Sequence, residues 1–315
     1  MTIFTKLQRG LGRPVALAIA AAMLVLAPAT QTSADTLVLG TVGKDVKAEM
    51  KEHEGIAAYL QGRLASSGVA KVEVAILQTA AKMSDALKQG TVHLYFESPL
   101  VAAKVGLEGG AIPMLRRWRR GVAEYWSEIV VPTESPIRSL EDLRGRVIAF
   151  EDPDSTSGHL LPRAMLLENG LKIETLKRPQ DPADPAKVGA VFTLSDKASI
   201  LMLFDGRVAA IATDPSYMQK IENERPGSIR SIGRSITVPR HVVMRSAAMS
   251  SERAQRIADV LTGMSQSEEG AAVLKQFGKT DRFDAFPEGL EATFAPLHGQ
   301  LQLLEGETAP LRGTQ

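Results

Sequence analysis

Ser155, Thr156 and Ser157 stand side by side in the stretch VIAFEDPDSTSGHLLPRAMLLENG, and Gly158 follows them directly. The residues before them read as a buried strand, and those after them as an amphipathic helix. The start of a helix leaves its first backbone N–H groups without intrahelical partners, and the macrodipole adds positive character there. Such a terminus is a place for an anion. Three hydroxyls can donate to it, and Gly158 lets it approach the backbone. One hydroxyl suffices to cap a helix, so Ser155 or Ser157 acting only as an N-cap is the competing reading. Hydrogen bonds to a charged acceptor contribute about 1.5–3 kcal/mol each. A handful of them supports micromolar binding, about 8 kcal/mol, after the costs of association.

Two carboxylates fall at matching places. KQGTVHLYFESP and FDGRVAAIATDP both run from a helix end through Gly-x-Val and a strand to an acidic residue and a helix-start proline. Glu97 and Asp214 therefore lie just past the carboxyl ends of strands, where open α/β sheets bind ligands; each also reads as a plain N-cap. His159 adjoins the hydroxyl run and can reach a ligand there. His241, Tyr125 and Trp126 read as structural. The cluster RRWRR, Arg116 to Arg120, reads either as a solvated turn half-covered by Trp118 or as a docking patch or lure for anions.

Other chemistries lack their residues. The chain has five histidines and no cysteine. No second histidine follows His53 at the H-E-x-x-H spacing, and neither G-x-S-x-G nor G-x-x-x-x-G-K-[ST] occurs. Nothing argues for an enzyme, a metal or a cofactor. A net charge of +1 implies neither nucleic acid nor an acidic membrane surface as a partner.

The elements that must position these groups alternate between strand and helix, which implies an α/β fold with mostly parallel sheets. Residues 1–34 read as a signal peptide. Lys6, Arg9 and Arg13 precede the apolar run PVALAIAAAMLVLAP, with cleavage after Ala29 or, by preference, Ala34. A soluble periplasmic protein is implied, with no membrane insertion after cleavage. The roughly 280 remaining residues suffice for a core without disulfides. A helix is predicted over 46–64, with Met50, Ala57, Leu60 and Leu64 on one face. Helices ending near Gln89, Asn169 and Asp205 follow, and EIVVP and SITVPRHVVMR read as crossings. The expected plan is one lobe from 35–127 and 240–315, a second from 128–239 carrying the S-T-S-G loop, and a two-segment hinge. The end of the chain reads as two helices and a polar tail.

Taken together, YWSEIVVPTESPIRSLEDLRGRVIAFEDPDSTSGHLLPRAMLLENGL resembles the phosphonate-binding branch of periplasmic substrate-binding proteins, which serve ABC transporters for phosphonate, phosphite and phosphate. SSERAQRIADVLTGMSQSEEGAAVLKQFG with RFDAF is similar to the C-terminal region of that family. The resemblance implies a two-lobe, type II-like binding protein closing on a ligand, with Ser155, Thr156 and Ser157 gripping the oxyanion beside Gly158. It implies delivery to a membrane permease; the same fold also serves sensors that present a ligand to a histidine kinase or chemoreceptor. The chain departs from the family pattern at His93 and Ala209, where aspartates are usual, and at Asp196, where histidine follows the serine. GTVGKDVKAEM lacks the aromatic residue of the first loop. Tyr95, Glu97, Asp196 and Asp214 are therefore expected around the far end of the ligand. Their carboxylates would suit an amine, as in an aminoalkylphosphonate.

Overall fold

Leu37 and Leu39 alternate with less buried neighbours in the first strand and are fully buried, the period of a strand laid on a core. The computed structural model describes residues 35–43 and 45–308; the expected signal peptide lies outside them. The chain begins with β1 (Asp35–Val42), α1 (Val46–Leu64), β2 (Val69–Leu77), α2 (Ala80–Gln89), β3 (Leu94–Glu97), α3 (Pro99–Gly109) and β4 (Ile112–Arg119). It continues through β5 (Glu124–Tyr125), β6 (Glu128–Pro132), β7 (Val147–Phe150), α4 (Leu161–Glu168), β8 (Lys172–Thr175) and β9 (Lys187–Phe192). Then come α5 (Asp196–Phe204), β10 (Ala210–Thr213), α6 (Pro215–Glu224) and β11 (Ile229–Arg234). The last part holds β12 (Val238–Pro239), β13 (His241–Arg245), α7 (Ser251–Gly263), α8 (Glu268–Gln276), β14 (Thr280–Asp284) and α9 (Gly289–Thr308).

These strands build two six-stranded sheets, ordered β14-β4-β13-β3-β1-β2 and β11-β6-β10-β7-β9-β8. The expectation of mostly parallel sheets is corrected to mixed ones. β1–β2, β1–β3 and the run β10-β7-β9-β8 are parallel. β13 and β14 pair antiparallel with β3 and β4, and β6 pairs antiparallel with β10 and β11. The antiparallel strands are those the chain lays down around its passages between sheets and after its return to the first. Those two passages meet as an antiparallel ribbon, β5 with β12, pairing Tyr125 with Val238.

α1 occupies the predicted span, but its buried face is His53, Ile56, Ala57, Tyr59, Leu60 and Leu64, and Met50 is exposed. The polar tail expected at the end is β14 and α9. Pro296 falls inside α9, at a cost of about 3 kcal/mol. Phe294, Leu297 and Leu301 from the same helix are buried, each worth about 1.5–3 kcal/mol, so burial outweighs the proline. α9 packs on both α3 and α4. Gln300 donates to Glu168 at 2.6 Å, which ties the last helix to the end of α4.

Candidate functional site

β7 carries Phe150 into the core, and the chain then turns through Glu151–Asp154 into a helix. The first turn of that helix, Thr156–Leu160, is π rather than α; its signature is the Leu160 N–H donating to the Ser155 carbonyl at 2.9 Å. Such wide turns recur at functional sites. Ser155 is the cap. Its Oγ accepts from the Gly158 N–H at 3.0 Å and donates to Glu151 Oε2 at 2.7 Å. Thr156 is 2% exposed, and its Oγ1 has no partner in hydrogen-bonding geometry. Ser157 is half-buried on the same wall. A Cβ at Gly158 would stand 2.6 Å from Glu151 Cβ and 2.8 Å from Ser155 Oγ. Gly158 thus makes room for the loop itself, and it is not among the residues that line the cleft in front of the loop.

A cleft of about 530 Å³ opens in front of this loop. Ser155, Thr156 and Ser157 line it together with Glu97, Asp196 and Asp214. Tyr95 does not reach it: β3 is covered on both faces, so the ring is fully buried and its hydroxyl donates to Glu97 Oε2 at 2.7 Å. Glu97 Oε1 accepts from the Ser98 N–H at 2.6 Å. Asp214 caps α6, its Oδ1 accepting from Ser216 N and Oγ and from Tyr217 N. Burial first, then the neighbouring Glu151 and Asp214 carboxylates, push the Asp196 carboxyl up to about 7.

Sequence reasoning gave no ligand role to four residues on this cleft, Arg240, Tyr125, Glu151 and Tyr217. RRWRR is not a solvated turn, and its arginines divide between the sheet and the cleft. Arg116 is buried and pairs with Asp284 and Glu124. Arg117 is buried against the Phe277 ring at 3.8 Å, where burial pushes its guanidinium down to about 9. Arg119 and Arg120 face the cleft. His241 also reaches its wall, and its Nε2 accepts from Arg119 at 3.1 Å. Burial, then the surrounding arginines, hold His241 well below its usual range, so it is neutral. His159 turns away, bonding the Pro153 carbonyl at 2.7 Å and packing on Phe150 and Phe192. The Tyr125 phenol is pushed up by burial; Arg240 and the nearby hydroxyls of Thr156 and Ser157 oppose the shift. Alternation along β4 puts Arg119 on the same face as the buried Arg117, so no local pattern placed it toward the cleft.

The segment just after the ribbon, between β5 and β6, touches the loop directly. Ser127, fully buried, donates through Oγ to the Ser157 carbonyl at 2.6 Å, and its backbone bonds Ser235 in both directions. Ser127→Ala should cost about 1 kcal/mol of stability and weaken ligand binding a few-fold by loosening Ser157. Denaturation and calorimetry on one preparation check both, and unchanged affinity would show that the loop holds its shape without this contact.

The model of one protein family, described as the periplasmic substrate-binding protein of phosphonate ABC transporters, matches residues 44–287. The chain belongs to this family. Its curated relatives include the phosphate-import protein PhnD of Mycolicibacterium smegmatis, 23% identical over 227 residues, 69% of this chain and 68% of that one. Similar solved structures include XAC2383 from Xanthomonas citri bound to ATP, with TM-score 0.79 and 25% identity, covering 87% of this chain and 99% of that one. PhnD1 from Prochlorococcus marinus in complex with methylphosphonate, at 15% identity, shares the two-lobe fold with TM-score 0.62, over 86% of this chain and 98% of that one. The family is periplasmic, and among the described residues no helix is long and apolar enough to cross a membrane.

Proposed function

We propose that this phosphonate-family receptor closes on a phosphorus oxyanion (a phosphonate, phosphite or phosphate) and delivers it to the permease of an ABC transporter. The observation that carries the reading is the hydroxyl loop at a helix start on the wall of the cleft. There the Thr156 hydroxyl is buried without a partner and Ser157 is open beside it. A buried hydroxyl without a partner costs stability, and a tetrahedral oxyanion in the cleft would supply the missing acceptor. The ligands named with two similar structures, ATP and methylphosphonate, both present such a phosphorus centre. In this reading the lobes are 35–127 with 240–315, and 128–239, closing about the β5–β12 ribbon by a hinge motion. An enzymatic role is not part of the proposal.

Calorimetry against phosphate, phosphite and methylphosphonate tests it. At least one should bind with a dissociation constant in the micromolar range or below, about 8 kcal/mol. If none of the three binds, the reading falls.

A further inference from the structure

Arg119, Arg120 and Arg240 line the same cleft as the hydroxyl loop. Two of them are held in place by their surroundings. Arg119 donates through Nε to the Gly278 carbonyl at 2.9 Å and through Nη1 to His241. Arg240 lies over the Tyr125 ring at 4.3 Å, 4.0 Å from Asp214 Oδ2. Arg120 differs from both. Its backbone is fixed, with φ of 58° and an N–H that donates to the Lys279 carbonyl at 2.8 Å. Its guanidinium enters no ion pair among the described residues. A non-glycine residue in that conformation costs on the order of 1 kcal/mol, so the turn holds a charged side chain at the cleft at some expense. The charge of Arg120 is felt by Asp196 and Tyr217, both carried by the second lobe.

Glu97, Glu151, Asp152, Asp154, Asp196 and Asp214 line the cleft together with the three arginines, so open guanidinium donors, not a net positive charge, offer the place for an anion. Glu97 accepts from Tyr95 and Ser98, Asp214 from Ser216 and Tyr217, and Glu151 from Ser155. The arginines, by contrast, crowd one another: Arg240 and Arg120 both depress Arg119, after burial. Like charges held together at a half-buried wall are relieved by an anion. A guanidinium with open donors suits a phosphoryl or carboxylate group. In the proposed reading the hydroxyl loop takes one oxyanion, and the open donors of Arg120 leave a place for a second anionic group in the same cleft.

We propose that Arg120, with Arg119 and Arg240, forms a second anion subsite, and that the ligand is a phosphorus oxyanion bearing a further anionic group. This rests on the phosphorus-oxyanion reading above and narrows its substrate class. The further group is a second phosphoryl or a carboxylate.

The test is calorimetry with phosphate, pyrophosphate, phosphonoacetate and aminoethylphosphonate on the native chain and on Arg120→Gln. Pyrophosphate or phosphonoacetate should bind at least tenfold more tightly than phosphate, and whichever is tighter identifies the further group. Arg120→Gln should weaken that ligand about tenfold, the worth of one charge-assisted contact, and alter phosphate affinity less than threefold. Phosphate binding as tightly as both probes that carry a second anionic group, aminoethylphosphonate binding more tightly than either, or equal losses for all ligands in the variant would overturn the second subsite while leaving the oxyanion reading intact. Failure of every phosphorus ligand to bind would instead remove the reading on which it rests.

Discussion

Thr156→Val is expected to stabilise the ligand-free protein by about 1 kcal/mol and to weaken oxyanion binding roughly tenfold or more. The two effects have opposite signs because one atom causes both. Thr156 is 2% exposed, and its Oγ1 meets no hydrogen-bond partner. Valine keeps the shape and the β-branching while removing a buried polar atom whose desolvation is uncompensated. In the complex that same hydroxyl would donate to a charged oxygen, a contact worth about 1.5–3 kcal/mol. Urea denaturation without ligand and calorimetry with phosphate read the two quantities separately. A variant that is less stable yet binds equally well would show that the hydroxyl serves the nearby Tyr125 phenol instead. Ser155→Ala should behave in the other way, losing stability first, since Ser155 Oγ caps Gly158 and holds Glu151.

The division of labour within the hydroxyl run was beyond the sequence, though the run itself was not. Strand, polar loop and helix are local patterns, legible because Val147–Phe150 is apolar and the following helix has one apolar face. Which hydroxyl caps depends on Glu151, four residues back, and on a π turn that no periodicity announces. Glu97 and Asp214 were legible because each ends a strand and opens a helix, a junction that the internal echo marks twice. Tyr95 was misplaced for a related reason. β3 is buried on both faces, so alternation along it does not tell cleft from core.

The arginines were unreadable because their partners lie far along the chain. Arg116 pairs with Asp284, and Arg117 donates to Thr280 and to the Phe277 carbonyl. Only the pairing of β4 with β13 and β14 brings these together. A composition that reads as a solvated turn is therefore the middle of a sheet, with its last two arginines turned out at the cleft. The same holds for α9, whose proline and glycines conceal a helix until α3 and α4 supply the surface that buries it.

Affinity for phosphate or pyrophosphate is expected to fall as pH rises through about 7, by up to about tenfold between pH 6 and pH 8. Asp196 supplies the titration. Burial first, then Glu151 and Asp214, raise its carboxyl to about 7 against the opposing charge of Arg120. Below that pH it is neutral and can donate to an oxyanion; above it, a further negative charge joins Glu151 and Asp214 on the cleft wall. Binding an anion then requires uptake of a proton, so affinity declines with pH. Linkage fixes the sign for stability as well. Between the ordinary carboxyl value of 3.8 and about 7, the folded chain keeps a proton that the unfolded chain has released. This group therefore makes the ligand-free protein less stable as pH rises through that window. Asp196→Asn should abolish both slopes while leaving the Ser195 cap of α5 in place. The ratio of native to variant affinity at each pH cancels the titration of the ligand itself. A ratio that is flat from pH 6 to pH 8 would remove Asp196 from the site. A ratio that rises would mean that the ionised carboxylate attracts a cation, and the ligand would then carry an amine where the arginines call for a second anion.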